Sequence, residues 1–204
     1  MNLIKNGVSI VDVFRKFHPM QHEKEFIWMW DRLPELENVL EIGMGCGATA
    51  ALFSFSGAQV TTIDPRENVI EEDTPTWMDY KFKAMVPWAK PVKWIRKFST
   101  DPTVMSDLII PVGGKWDLLH IDGDHSYEGA HYDWKTFAPM AKLVAVHDIY
   151  GWDRPDVHFS DGPRGLWNEL HKDPKFHPLE RCIGDDSNDG ENMNGGMGLV
   201  EYVA

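Results

Sequence analysis

The chain has 204 residues, 43% apolar and 25% charged, with a formal net charge of −12. That length suits one domain with its own buried core, and the acidic balance repels phosphate backbones, because the densest basic run, Lys81 to Lys97, is diluted by Trp88 and Trp94. Nucleic acid is therefore not an expected partner, and neither is a membrane, since no stretch approaches the roughly 20 apolar residues that span a bilayer.

The opening Met1 to Gly7 lacks an apolar signal region, so a cytoplasmic location is the default expectation. The two cysteines, Cys46 and Cys182, lie far apart outside any zinc spacing and read as reduced thiols. Gln21 to Leu33 sets Phe26, Ile27, Trp30 and Leu33 at helical spacing until Pro34 stops it. Asn38 to Ile42 is a short apolar run closed by glycines, which predicts a buried strand. Ala48 to Phe55 predicts a helix, and Gln59 to Ile63 a second strand ending at Asp64-Pro65. The aromatic stretch with Trp77, Tyr80, Phe82 and Trp88 suits core or a dimer face better than a lid. Val92 to Phe98 predicts a third strand and Thr103 to Ile110 a helix.

Trp116 to Ile121 predicts a fourth strand ending at Asp122, and Tyr127 to Met140 a helix burying Ala130, Trp134, Phe137 and Ala138. Leu143 to Val146 predicts a fifth strand, closed by His147-Asp148, with a helix over Gly165 to His171. Leu179 to Ile183 and Met197 to Val203 predict two tail strands. The Asp185 to Gly196 loop between them, with Asp185, Asp186 and Asp189, fits no EF-hand and reads as a solvated turn. Strands alternating with helices imply an α/β, doubly wound, Rossmann-like and mostly parallel seven-stranded sheet with an antiparallel edge hairpin. Ligands of such sheets gather at the carboxyl ends of the strands, where Glu41-Ile42-Gly43, Asp64, Asp122 and His147-Asp148 fall.

The strongest local signal is Glu41-Ile42-Gly43-Met44-Gly45-Cys46-Gly47 after a strand, with Asp64 about 20 residues on at the end of the next. The glycines allow a tight turn and close approach to a ligand, and Asp64 can accept ribose hydroxyls. Gly43, Gly45 and Ala48 also nearly fit a dinucleotide fingerprint, which keeps an NAD-dependent oxidoreductase as a rival. Glu41 argues against that, because an acid beside the loop repels a pyrophosphate and suits a cationic sulfonium amino acid. Here the chain resembles the class I S-adenosylmethionine-dependent methyltransferases, whose first motif reads E-x-G-x-G-x-G. The resemblance implies one methyltransferase domain over residues 1–204, with 1–34 as an N-terminal helical extension.

The run Ile121-Asp122-Gly123-Asp124-His125-Ser126-Tyr127-Glu128, with His147-Asp148, is similar to the metal-dependent small-molecule O-methyltransferases of methyltransferase family 24. That resemblance spans roughly Val39 to Ile149. It implies S-adenosylmethionine as cofactor, a divalent Mg or Mn ion held by Asp122, His147 and Asp148, and His125 as the base. Cofactor contacts would come from Glu41, Gly43, Gly45, Gly47, Asp64, Ser99 and Asp122, and a small-molecule hydroxyl, of a sugar or secondary metabolite, would be the acceptor. The chemistry is coherent: a metal lowers the pKa of a hydroxyl and orients it, and histidine accepts a proton near neutral pH. His147 departs from the family's usual second acid, which tilts the ion toward Mn, Fe or Zn. Asp124 would be a backup ligand or an orienter of His125. Plainer readings stand beside these: Asp122 as a helix cap, His147 bonded to a loop carbonyl, His120 as a satisfied core histidine, and Tyr127 and Glu128 as structural. A non-catalytic cofactor-binding relative is the rival outside enzymology, and a homo-oligomer is compatible with all of them.

Overall fold

The computed structural model describes residues 1–17, 21–45, 47–65, 84–150, 161–181 and 195–202. Cys46, Trp77, Tyr80, Phe82, Cys182, Asp185, Asp186 and Asp189 lie outside the described residues. The chain starts with a hairpin, β1 (Ile4–Lys5) and β2 (Val8–Ser9), turning at Asn6-Gly7 where φ is 51° and 77°. Two positive φ values in succession suit a two-residue hairpin turn. Helices α1 (Ile10–Phe17) and α2 (Glu23–Arg32) follow, so the N-terminal extension is a hairpin and two helices rather than helical throughout. Leu33 takes extended dihedrals ahead of Pro34 and ends α2.

Seven strands form the main sheet: β3 (Asn38–Ile42), β4 (Gln59–Ile63), β5 (Lys93–Ile95), β6 (Trp116–Ile121), β7 (Ala141–His147), β8 (Leu179–Arg181) and β9 (Met197–Glu201). Their spatial order is β5-β4-β3-β6-β7-β9-β8, parallel from β5 to β7, with β9 antiparallel to both β7 and β8. The helices α3 (Ala48–Ser54), α4 (Val104–Asp107), α5 (Tyr127–Phe137) and α6 (Asp161–Lys172) complete the fold. Burial on both faces explains why the central strands read as continuous apolar runs.

Alternation along the strands divides the core. Val39, Val60, Leu118, Ala145 and Leu199 pack with α1, α2 and α3. Leu40, Ile42, Leu119, Ile121, Val144 and Val146 pack with α5 and α6. By the same parity Glu41, His120, Asp122 and His147 fall on the α1–α3 side, and the site is built on that face.

Two elements are shorter than the sequence suggests. The helix expected over Thr103 to Ile110 is only α4, because Ile109 and Ile110 are 73% and 44% exposed and Pro111 follows; apolar residues without burial do not extend it. The third strand stops at Ile95, where the Lys97 N–H turns back to the Ile95 carbonyl at 2.9 Å. No helix among the described residues is long and apolar enough to cross a membrane.

Candidate functional site

Backbone hydrogen bonds carry the sheet ladder one step beyond the strand ends. Gly43 N–H donates to Ile63 O (2.9 Å), Asp64 N–H to Ile95 O (3.1 Å) and Asp122 N–H to Ile42 O (2.9 Å). Gly43, Asp64 and Asp122 are thereby fixed along one rim. Gly43 has φ +86°, and a Cβ there would lie 1.9 Å from the Asp122 carbonyl oxygen. No side chain fits, so the first glycine serves packing as well as the turn. The next residues wrap over Asp64, whose Oδ2 accepts from the N–H groups of Met44 (2.8 Å) and Gly45 (3.2 Å).

Beside this loop two carboxylates and two imidazoles meet. His147 Nδ1 lies 3.2 Å from Asp122 Oδ1 and 3.3 Å from Asp148 Oδ1. His125 reaches the same acids from the following loop, with Nε2 3.5 Å from Asp122 Oδ1 and Nδ1 3.4 Å from Asp148 Oδ2. Asp148 takes φ +56°, a left-handed conformation uncommon outside glycine and best tolerated by Asn and Asp. Such outliers concentrate at functional sites. His125 is the accessible imidazole, 27% exposed against 8% for His147. Asp122, His125 and Asp148 each offer a ligand atom within 4.8 Å of one another. The converging trio thus contains His125 where the sequence pointed to His147.

The electrostatics follow from the crowding. Burial raises the Asp122 carboxyl, but His147 and His125 outweigh it and hold the group far below the usual carboxylate range. Burial also pulls the His147 imidazole down, yet Asp122, then Asp148 and Glu25, push it up to about 9. His125 is raised chiefly by its contact with Asp122.

Two residues ahead of the motif region complete the surround. Gln21 Nε2 donates to Asp122 Oδ2 at 2.8 Å, and Thr49 Oγ1 donates to Gln21 Oε1 at 2.5 Å. Glu25 is 3% exposed, and its charge helps raise His147. Neither belongs to a recognisable motif, and Gln21 lies 101 positions from its partner Asp122.

The other residues singled out fall into place. Asp122 does not cap α5; Ser126 does, its Oγ accepting from Gly129 N–H at 3.0 Å. His147 bonds to Asp122 rather than to a loop carbonyl. Tyr127 is structural, donating to Glu169 at 2.6 Å. Asp124 is exposed and accepts from Ser126 N–H at 2.9 Å instead of orienting His125. Ser99 is half-buried near Asp133, whose carboxyl burial pushes up to about 7 against the pull of Ser99. Glu41 and His120 are both wholly buried, with Glu41 Oε1 3.5 Å from His120 Nδ1. His120 is thus core, edge-on to the Phe53 ring, but neither ring nitrogen has a hydrogen-bond partner among the described residues.

Residues 40–149 match a family described as a methyltransferase domain. No curated protein matches the chain in sequence. Solved structures share its fold at low identity. A candidate caffeoyl-CoA O-methyltransferase from Staphylococcus aureus is 17% identical with a TM-score of 0.64, over 96% of this chain and 93% of that one. The O-methyltransferase TomG from Streptomyces achromogenes, in complex with SAM, is 13% identical with a TM-score of 0.59, over 96% and 88%. An rRNA methylase from Streptococcus thermophilus is 9% identical with a TM-score of 0.57, over 91% and 99%. The fold is common to all three.

Proposed function

The chain belongs to the methyltransferase-domain family of S-adenosylmethionine-dependent enzymes, and from that premise we propose that it methylates a hydroxyl of a small molecule, a sugar or secondary metabolite, with help from a divalent cation. The observation that carries this reading is the meeting of Asp122, His125, His147 and Asp148 beside the glycine loop and Asp64. Residues 1–204 would act as one methyltransferase unit, with 1–34 as its extension. The NAD reading of the same loop is not favoured by the family match.

In this proposal the backbone of Gly43, Gly45 and Gly47 lies along the donor, and Asp64 receives its ribose hydroxyls. Ser99 lines the adenine side. Glu41, wholly buried two residues before Gly43, would serve the methionine end of the donor. Asp122 and Asp148, with His125 as the nitrogen donor, would hold the cation, and His147 orients both carboxylates from behind. Oxygen and imidazole donors together suit Mn²⁺ or Zn²⁺ as well as Mg²⁺. Such an ion, when bound, supplies a lowered pKa for the acceptor hydroxyl.

One observation favours a second, metal-free reading. His147 Nδ1 lies 3.2 Å from Asp122 and 3.3 Å from Asp148, so its imidazolium offsets part of the charge that a cation would offset. His125 would then take the hydroxyl proton at a ring nitrogen, with Asp122 and Asp148 stabilising its charge. Isothermal titration of S-adenosylmethionine, with and without Mn²⁺, tests both readings. Micromolar donor binding that Asp64→Ala weakens by about tenfold or more supports the donor site. A Mn²⁺-dependent change supports the metal-assisted reading, and its absence alongside donor binding leaves the His125 route. No donor binding under any condition overturns the proposal.

A further inference from the structure

Gln21 stands outside the region that matches the family, which begins at residue 40, yet it is among the most committed side chains of the site. It is 6% exposed, and both ends of its amide are engaged. A carboxylate can only accept, so the NH₂ end must face Asp122, and this leaves the carbonyl end for the Thr49 hydroxyl. Thr49 is itself 5% exposed and lies in the first turn of α3, directly after the glycine loop. One buried side chain thus ties the helix that follows the donor loop to the acid at the transfer centre.

We propose that Gln21 is the positioning residue of Asp122, and that through Thr49 it makes occupancy of the donor loop felt at Asp122. Hydrogen bonds behind a ligating carboxylate fix its orientation, and their loss typically costs 10–100-fold in metal affinity. A donor that settles against the loop presses on α3, and the Thr49–Gln21–Asp122 chain carries that change over two hydrogen bonds. Coupling between two sites is reciprocal in binding free energy, so the donor should tighten the cation and the cation the donor. The N-terminal segment is then part of the site itself, through a single side chain that point substitution can remove. This inference rests on the reading of the rim as a donor site beside a cation site.

The test uses the full chain and two probes, Mn²⁺ and S-adenosylhomocysteine, with Gln21→Met, which keeps the length and removes both hydrogen bonds, and Thr49→Val, which removes only the outer one. In the wild type, S-adenosylhomocysteine should raise Mn²⁺ affinity about fivefold or more. Gln21→Met should weaken Mn²⁺ by about tenfold or more and abolish the coupling, while binding S-adenosylhomocysteine alone within about twofold of wild type. Thr49→Val should keep Mn²⁺ affinity within about twofold and lose most of the coupling. A Gln21→Met protein with wild-type Mn²⁺ affinity and coupling overturns the inference.

A wild type that binds S-adenosylhomocysteine but no Mn²⁺ removes the metal-assisted reading instead. The inference is then decided by the Gln21 side-chain amide signals in nuclear magnetic resonance. They should move on S-adenosylhomocysteine addition in the wild type and stay still in Thr49→Val; signals that stay still in both overturn it. A wild type that binds Mn²⁺ but no S-adenosylhomocysteine removes the donor reading and, with it, the coupling. The Mn²⁺ affinity of Gln21→Met then decides whether Gln21 positions Asp122. A wild type that binds neither probe overturns both.

Discussion

Two carboxyl–imidazole pairs bridge neighbouring strands of this sheet, and they end in opposite electrostatic states. Glu41 and His120 join β3 to β6 at 3.5 Å, both fully buried. Asp122 and His147 join the end of β6 to β7 at 3.2 Å, where the acid keeps 17% exposure. In the first pair burial dominates and pushes the Glu41 carboxyl upward, toward its neutral form. In the second, the imidazoles outweigh burial and hold Asp122 ionised, while Asp122 and Asp148 raise His147 to about 9. A second carboxylate, a second imidazole and partial access to water separate a silent core pair from a charged one. The chemistry of a site therefore lies in the count of charges that meet, more than in which two residue types touch.

The comparison breaks most sharply at Asp122. Asp122→Asn should lower Mn²⁺ affinity by about 100-fold or more. It should also let burial pull the His147 titration down by about two units or more, read by nuclear magnetic resonance. An unchanged His147 titration would show that Asp122 is not what charges it. Asp133→Asn is the next largest. The folded pKa of Asp133, about 7, lies above its ordinary 3.8, so its stabilising contribution is complete below about pH 4 and lost as pH rises through 7. Urea denaturation should show the variant gaining on the wild type across that interval, on the order of 3 kcal/mol at the upper end.

Glu41→Gln tests the buried pair with the same sign. A raised carboxyl stabilises most at low pH and loses that contribution as pH rises. The amide should therefore lie within about 1 kcal/mol of wild type at pH 5 and be the more stable protein at pH 8. Heavy loss at both pH values would mean that Glu41 is charged and the two pairs are alike. Asp122 has the opposite slope, since a lowered carboxyl stabilises above its ordinary pKa and fails as pH falls. The smallest effect is expected at the other end of the sheet, where Lys142 bonds Asp117 at 2.6 Å but is 63% exposed. Lys142→Ala should change stability by less than about 1 kcal/mol in thermal denaturation.

Much of the fold was readable because buried parallel strands leave a plain trace. Asn38–Ile42, Gln59–Ile63 and Trp116–Ile121 are bounded as the apolar runs suggested, since glycine or aspartate stops each of them. The helix expected through Ile110 stops at Asp107, because apolarity marks a helix only where the residues find a core. Asn6-Gly7 carried a hairpin signal that a helical reading of the extension passed over. At the rim, the motifs pointed to Asp122, His125, His147 and Asp148, and all four meet there. That His125 joins Asp122 and Asp148 in the trio able to hold an ion could not be read, because it depends on how the loop after Asp122 turns back. Gln21 and Glu25 were invisible for a simpler reason: a lone glutamine or glutamate before or in a helix has no periodicity, and tertiary packing alone brings it to the rim.

Gly43 carries a last consequence. Its missing side chain is what lets the glycine loop rest on the backbone of Asp122 and Gly123. The two signature motifs of this chain are thus not independent parts that could be exchanged one at a time. A descendant that acquired any larger residue at 43 would have to move the acid as well, displacing two strand ends in the same step. Grafting a foreign glycine loop onto this scaffold would meet the same barrier, and the seam would have to be cut around both motifs together.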